Sequence, residues 1–290
     1  MNDTILNVNN VCKKYPKFEL KNVSFNIKRG TIMGFVGRNG AGKTTTLKAI
    51  YQLIKLDGGN IYYNDLDISQ NEIKCKEDIG LLFGAIDYYP NVKVKVLIDA
   101  TKRFYKNWDE DLYKKWIKYF EIDENKRIKE LSNGMKVKFH LSIALSHHAK
   151  LLLLDEPTSG LDPVSRDELL DAFRKIVDKY DTTILFSTHV ISDIEKIADD
   201  LTYIKKGEII YTGNLNDFKK SYLKVSGDSN KLDENQKSLI GHYRERNNLF
   251  EGTILEKDKD NFANFENEEA RLEDIILYIE RGEENEESPL

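Results

Sequence analysis

Apolar and polar positions alternate through the start of the chain. Ile5-Leu6-Asn7-Val8 and Val23-Ser24-Phe25-Asn26-Ile27 carry the two-residue period of half-buried strands. The turn Lys28-Arg29-Gly30 closes the second. Residues 31–36 are mostly apolar and predict a strand that runs into a glycine-rich segment, 37–45. Leu47 and Ile50 then predict a helix reaching Ile54. Asp57-Gly58-Gly59-Asn60 reads as a turn and Ile61-Tyr62-Tyr63 as another strand.

Between residues 85 and 149 the period lengthens. Leu97 and Phe104, then Leu112, Trp116, Tyr119 and Phe120, fall at helical spacing and predict a helical insertion. Trp108 and Trp116, with Tyr105, Tyr113 and Tyr119, read as its core. His147 and His148 read as surface residues at a helix end.

The α/β pattern then returns. Residues 151–154 are four leucines in a row, the continuous apolar run of a strand buried on both faces. A helix over 164–180, a strand over 183–187 and a short helix over 193–198 follow. Strands over 201–204 and 209–211 flank the turn Lys206-Gly207-Glu208. Strands alternating with helices predict an α/β fold with a parallel sheet. Residues 213–290 hold alternating segments and a final apolar helix over 272–279. The predicted layout is a core of 1–84 and 150–213 that includes an antiparallel β subdomain, a helical subdomain of 85–149, and a C-terminal accessory region of 214–290.

Composition narrows the function classes. The 290 residues are 40% hydrophobic and 10% aromatic, too apolar for a disordered chain. A chain this long buries about three quarters of its unfolded surface, so the fold needs neither disulfide nor metal. No apolar run approaches the ~18 residues that span a bilayer, and no signal peptide is expected from the first residues. Cys12 and Cys75 make neither a disulfide framework nor a metal pattern, which fits a reducing cytoplasm. The formal net charge of -5 is unevenly distributed. Residues 266–290 hold ten acids and two arginines, net -8, which leaves +3 for the remainder (-5 minus -8). An acidic end on a near-neutral body argues against a nucleic-acid partner.

Residues 37–44, Gly37-Arg38-Asn39-Gly40-Ala41-Gly42-Lys43-Thr44, match G-x-x-x-x-G-K-[ST] between a predicted strand and a predicted helix. The glycines let backbone N–H groups close on phosphate oxygens, and the helix start presents free donors and a positive dipole end. Lys43 reaches the β- and γ-phosphates, and the Thr44 hydroxyl ligates Mg2+. Thr45 completes the loop. The leucine strand ends in Asp155-Glu156-Pro157. Ligands bind at the carboxyl ends of strands in open α/β sheets, which sets Asp155 beside the Mg2+. Glu156 is then the candidate to polarise the attacking water.

Further motifs carry a family resemblance. Leu131-Ser132-Asn133-Gly134-Met135 resembles the Leu-Ser-Gly-Gly-Gln signature of the nucleotide-binding subunits of ATP-binding cassette (ABC) transporters. Ser159-Gly160-Leu161-Asp162 resembles their D-loop, and Thr188-His189 after a strand resembles their switch histidine. Tyr15, 28 residues before Lys43, resembles their adenine-stacking aromatic. The resemblance spans residues 5 to 213. It implies the ABC ATPase fold and ATP with Mg2+ as ligands. It also implies a second cassette whose Ser132, Asn133 and Gly134 face the γ-phosphate across a dimer, Asp162 of the D-loop as a further nucleotide-binding residue, and separate membrane subunits holding the chain at the inner face of the membrane. With Trp108-Asp109, residues 160–166 and Leu272-Glu273-Asp274-Ile275, the chain is similar to bacterial exporters of peptides and antibiotics. Within these it is similar to the ATPases of the staphylococcal phenol-soluble modulin exporter.

Two departures from the family pattern stand out. Gly84 occupies the position of the family's metal-sensing Gln, and no Gln occurs from Ile73 to Lys150. Asp87 is near enough in sequence to substitute, against the plainer reading of an ordinary loop acid. Asn133 and Met135 replace Gly and Gln in the signature; Asn tolerates left-handed backbone better than most residues. These departures predict weakened but real hydrolysis. The alternatives are a nearly inactive regulatory cassette and a translation- or DNA-associated ABC protein. The latter carries two cassettes or a long coiled coil, and neither is in this sequence.

Overall fold

The computed structural model describes residues 3–83 and 89–281. The expectations placed on Gly84 and Asp87 lie outside the described residues. β1 (Thr4–Tyr15) and β2 (Phe18–Lys28) form an antiparallel hairpin over Pro16 and Lys17. β3 (Ile32–Val36) leads to α1 (Lys43–Ile50). β4 (Gly58–Tyr63) and β5 (Leu66–Asp67) join the hairpin in a four-stranded sheet of order β2-β1-β4-β5. α2 (Glu72–Asp78) and β6 (Ile79–Phe83) follow, then the three helices α3 (Val94–Thr101), α4 (Glu110–Tyr119) and α5 (Asn133–Ser146). β7 (Leu151–Asp155), α6 (Pro163–Tyr180), β8 (Thr183–Thr188), α7 (Ile191–Ile197), β9 (Asp200–Lys205) and β10 (Glu208–Asn214) complete the second sheet.

That sheet has the order β10-β9-β3-β8-β7-β6. Its β9-β3-β8-β7-β6 run is parallel. Every residue of β3, β7, β8 and β9 is buried, as the continuous leucine run of β7 predicts. Parallel register fixes what lies at the carboxyl edge. Val36 aligns with Thr188 and Asp155 with Ser187, so the ends of β3, β8 and β7 are neighbours. The architecture is the α/β class that the alternation predicts, with parallel and antiparallel sheets.

The chain divides into two compact units, Met1–Thr212 and Gly213–Leu290. The second contains α8 (Leu215–Lys220), β11 (Tyr222–Asp228), α9 (Glu234–Leu239), β12 (Gly241–Arg246), β13 (Leu249–Leu255), β14 (Glu266–Glu269) and α10 (Leu272–Arg281). Its strands form an antiparallel sheet, β12-β13-β11-β14, around Val225, Phe250, Ile254 and Phe262. Among the described residues no helix is long and apolar enough to cross a membrane.

Several sequence expectations are corrected. α1 stops at Ile50, one turn short of Ile54. Gln52 takes a left-handed conformation, φ +56°, and the N–H groups of Gln52 and Leu53 bond back to Ala49 and Lys48. This is a Schellman closure without the usual glycine. Phe104 lies in a 3-10 turn and is 81% exposed, and Tyr119 is 56% exposed; neither is core. Tyr113 and Trp116 are buried as expected. His147 is buried rather than on the surface. Its ring stacks on Tyr105 at 3.9 Å, and Nδ1 lies 3.1 Å from the Glu77 carbonyl.

Candidate functional site: a phosphate loop facing two carboxylates

The segment between β3 and α1 makes a tight loop whose close packing requires glycine at two positions. A Cβ at Gly37 would lie 2.4 Å from the Ile204 carbonyl oxygen. Gly42 sits at φ +120°, with Leu20 Cδ2 2.7 Å from where its Cβ would be. The β9–β10 turn braces the loop: the Gly207 N–H donates to the Ala41 carbonyl at 3.0 Å. Both turn residues, Lys206 and Gly207, have positive φ, the signature of a tight hairpin turn. Arg38, Asn39 and Gly40 form the exposed rim of the loop, and Ala41 is buried behind it.

α1 begins at Lys43, whose side chain is 6% exposed. Its ammonium donates to the carbonyls of Gly37 (2.7 Å) and Arg38 (3.4 Å) and lies 3.5 Å from Glu156 Oε1. Thr44 is exposed, and its hydroxyl donates to Asp155 Oδ2 at 2.8 Å. Asp155 Oδ1 accepts from the Ser187 hydroxyl at 2.6 Å. Ser187 thereby orients a carboxylate that is 7% exposed. Its role follows from the parallel register of β7 and β8, which only the fold supplies.

At Glu156 the backbone turns sharply, φ +50°, a conformation that non-glycine residues seldom adopt. The bend is held by the Glu156 N–H, which donates to the Ser187 carbonyl (3.1 Å) and hydroxyl (3.0 Å). Glu156 Oε2 lies 2.7 Å from His189 Nδ1. A carboxylate only accepts, so Nδ1–H is the donor. One carboxylate thus meets an ammonium and an imidazole at a single point.

These groups line a cleft of about 620 Å³ formed by Lys17, Phe18, Asn39, Gly40, Gly42, Lys43, Thr44, Thr45, Glu156, Ser159 and His189. Lys17 and Phe18 belong to no motif in the sequence. Tyr15 is not in this lining; it stands opposite Phe18 across the β1–β2 hairpin, 39% exposed, with the Lys13 ammonium 5.6 Å from its ring. Ser132, Asn133 and Gly134 form the start of α5 and are not among the residues that line the cleft. The Ser132 hydroxyl caps the helix by accepting from Met135 N–H at 3.2 Å. Asp162 caps α6, accepting from the N–H groups of Val164 and Ser165. Bonds from Ser165 hold its carboxyl below the usual carboxylate range.

Among the described residues no three His, Cys, Asp or Glu side chains converge as a metal cage. A hydroxyl at the end of a phosphate loop and a carboxylate at the end of the neighbouring strand are nevertheless the donor set suited to Mg2+, which takes few protein oxygens and keeps waters and substrate phosphates. Thr44 and Asp155 fit that description.

Residues 20–159 match the family model described as ABC transporter. The ABC transporter ATP-binding protein YtrB of Bacillus subtilis is 34% identical over 71% of this chain and 70% of its own length. The linearmycin resistance ATP-binding protein LnrL of Bacillus subtilis is 31% identical over 73% and 70%. The bacitracin transport ATP-binding protein BcrA of Bacillus licheniformis is 31% identical over 71% and 69%. Among solved structures, an ATP-binding subunit of an ABC transporter superposes with TM-score 0.67 and 25% identity, covering 74% of this chain and 92% of that one. The fold is also that of a dimeric cassette in a post-hydrolysis state bound to ADP and Pi, at TM-score 0.64 and 24% identity, covering 72% and 98%.

Proposed function

The chain belongs to the ABC transporter ATP-binding family, and from that premise we propose that it powers export through separate membrane subunits. ATP binding and hydrolysis are the activity of the family. The residue roles are our reading of the geometry. The observation that carries it is the meeting of Lys43, Thr44, Glu156 and His189 in one cleft, with Asp155 bonded to the Thr44 hydroxyl behind it.

In this reading the loop N–H groups and Lys43 bind the ATP phosphates. Thr44 and Asp155 would hold Mg2+, which when bound neutralises phosphate charge. Glu156 takes a proton from water as its oxygen bonds to the γ-phosphorus and the bond to the β-phosphate oxygen breaks. ADP and phosphate leave, and the proton passes on to solvent. His189 orients Glu156 through the 2.7 Å bond. Ser132, Asn133, Gly134 and Asp162 would complete the site of a second cassette, where a helix start offers donors to the γ-phosphate. Tyr15 would flank the adenine beside Phe18.

Relatives named for linearmycin resistance and bacitracin transport support export of compounds of that kind. The finer reading, export of amphipathic peptides such as phenol-soluble modulins, rests on sequence resemblance. The chain would then work at the inner face of the membrane, held there by its partners. Copurification with a polytopic membrane protein, together with ATP turnover of that complex, tests the proposal. Full activity in a complex lacking such a protein would overturn it.

A further inference from the structure

We propose that Asp193 is a positioning residue for hydrolysis: one buried carboxylate ties the loop after Glu156 to the turn that carries His189. Asp193 lies in the first turn of α7, four residues beyond His189, and is 1% exposed. Its Oδ2 accepts from the Thr158 hydroxyl at 2.6 Å. Thr158 is fully buried and two residues beyond Glu156. Asp193 Oδ1 faces Arg166 Nε at 4.0 Å, and that Nε is buried with no hydrogen-bond partner among the described residues. Arg166 is on α6, whose N-cap is Asp162, and its N–H donates to the Asp162 carbonyl at 3.0 Å.

The contacts converge on one carboxylate from three segments: residues 156–158, the start of α6, and the turn 189–193. A buried carboxylate is costly unless bonded, so it constrains its partners rather than adding net stability. Burial pushes the Asp193 carboxyl above its ordinary range, against the Thr158 bond and the Arg166 charge that favour its ionised form. Asp193 does not line the ATP cleft. Its effect on turnover therefore runs through the relative placement of Glu156 and His189, and ATP affinity is left alone.

The inference rests on the reading of Glu156 and His189 as the hydrolytic pair. Steady-state ATP turnover of Asp193→Ala, Asp193→Asn, Thr158→Val and Thr158→Ser tests it, beside Glu156→Gln. Asp193→Ala and Thr158→Val should lower kcat about tenfold or more while KM for ATP shifts less than about twofold. Asp193→Asn keeps an oxygen for the Thr158 hydroxyl, and Thr158→Ser keeps the donor; both should recover to within about threefold of wild type. In a His189→Ala background, Asp193→Ala should cost almost nothing further, because the two act as one unit.

Wild-type kcat in Asp193→Ala, an Asn variant as impaired as Ala, or a full additional loss on His189→Ala would overturn the proposal. If Asp193→Ala fails to fold, the Asn and Thr158 variants decide. Wild-type turnover by Glu156→Gln is a separate result: it would remove the hydrolytic pair itself, and the positioning role with it.

Discussion

His189 Nδ1 lies 2.7 Å from Glu156 Oε2, while Glu156 Oε1 faces the Lys43 ammonium at 3.5 Å. Glu156 is thus held from both sides at the mouth of the phosphate loop. A general base placed this way contributes about a hundredfold or more to rate. Glu156→Gln keeps the shape and the hydrogen bonds of an amide but removes the base. It should bind ATP within about threefold of wild type and lose at least about a hundredfold in turnover. It should also accumulate an ATP-bound dimer, seen by size-exclusion chromatography with ATP. Turnover at the wild-type rate would dismiss Glu156 as the base.

Lys43 should behave in the opposite way. Its ammonium is buried and anchored to the Gly37 and Arg38 carbonyls, so it is part of the loop's frame as well as the proposed phosphate ligand. Lys43→Ala removes a charge-assisted contact, a loss of order tenfold or more in ATP affinity. Calorimetric titration with ATP measures this directly. Unchanged affinity would show that the phosphates bind elsewhere.

Thr44 separates metal binding from nucleotide binding. Its hydroxyl reaches the Asp155 carboxylate at 2.8 Å, which joins the start of α1 to the end of β7. Thr44→Ala should raise the Mg2+ concentration for half-maximal hydrolysis about tenfold, and Thr44→Ser should restore it. Binding of ATP without Mg2+ should be unaffected. Identical Mg2+ dependence in Thr44→Ala and wild type would reject Thr44 as a ligand.

The parts of the fold that the sequence reveals are those where local pattern and tertiary demand agree. Residues 151–155 are apolar until the strand ends in Asp155, and the fold buries that whole strand. β1 is less legible. It runs to Tyr15, well past the alternating 5–8 segment, because bulges between Val8 and Val11 and between Val11 and Lys13 reset which face each residue occupies. The end of α1 is hidden for a similar reason, since Gln52 takes a conformation usually marked by glycine. In the site, the loop motif and both carboxylates stand out in the sequence by residue pattern and strand context. Ser187 and Asp193 do not: each is a common polar residue whose role depends on register between strands or on packing between helices.

His147 gives the fold an acid-sensitive element. A carbonyl can only accept, so the 3.1 Å contact with Glu77 places the proton on Nδ1, and the ring stacks on Tyr105 as a neutral imidazole. Burial lowers its pKa from the ordinary 6.5 to about 4. The unfolded chain therefore takes up a proton below pH 6.5 that the folded chain refuses until about pH 4. The stability linked to this group is full above pH 6.5 and falls with pH until about 4, below which no more is lost. Between pH 7.5 and 5 the loss is about 2 kcal/mol. His140 is also lowered by burial, so the wild-type slope alone does not isolate His147. His147→Phe keeps a ring against Tyr105 and removes the titration. Urea unfolding of both proteins at pH 7.5, 6 and 5 should show the variant losing about 2 kcal/mol less than wild type over that range. Parallel losses in the two proteins would mean that His147 is already protonated in the folded state.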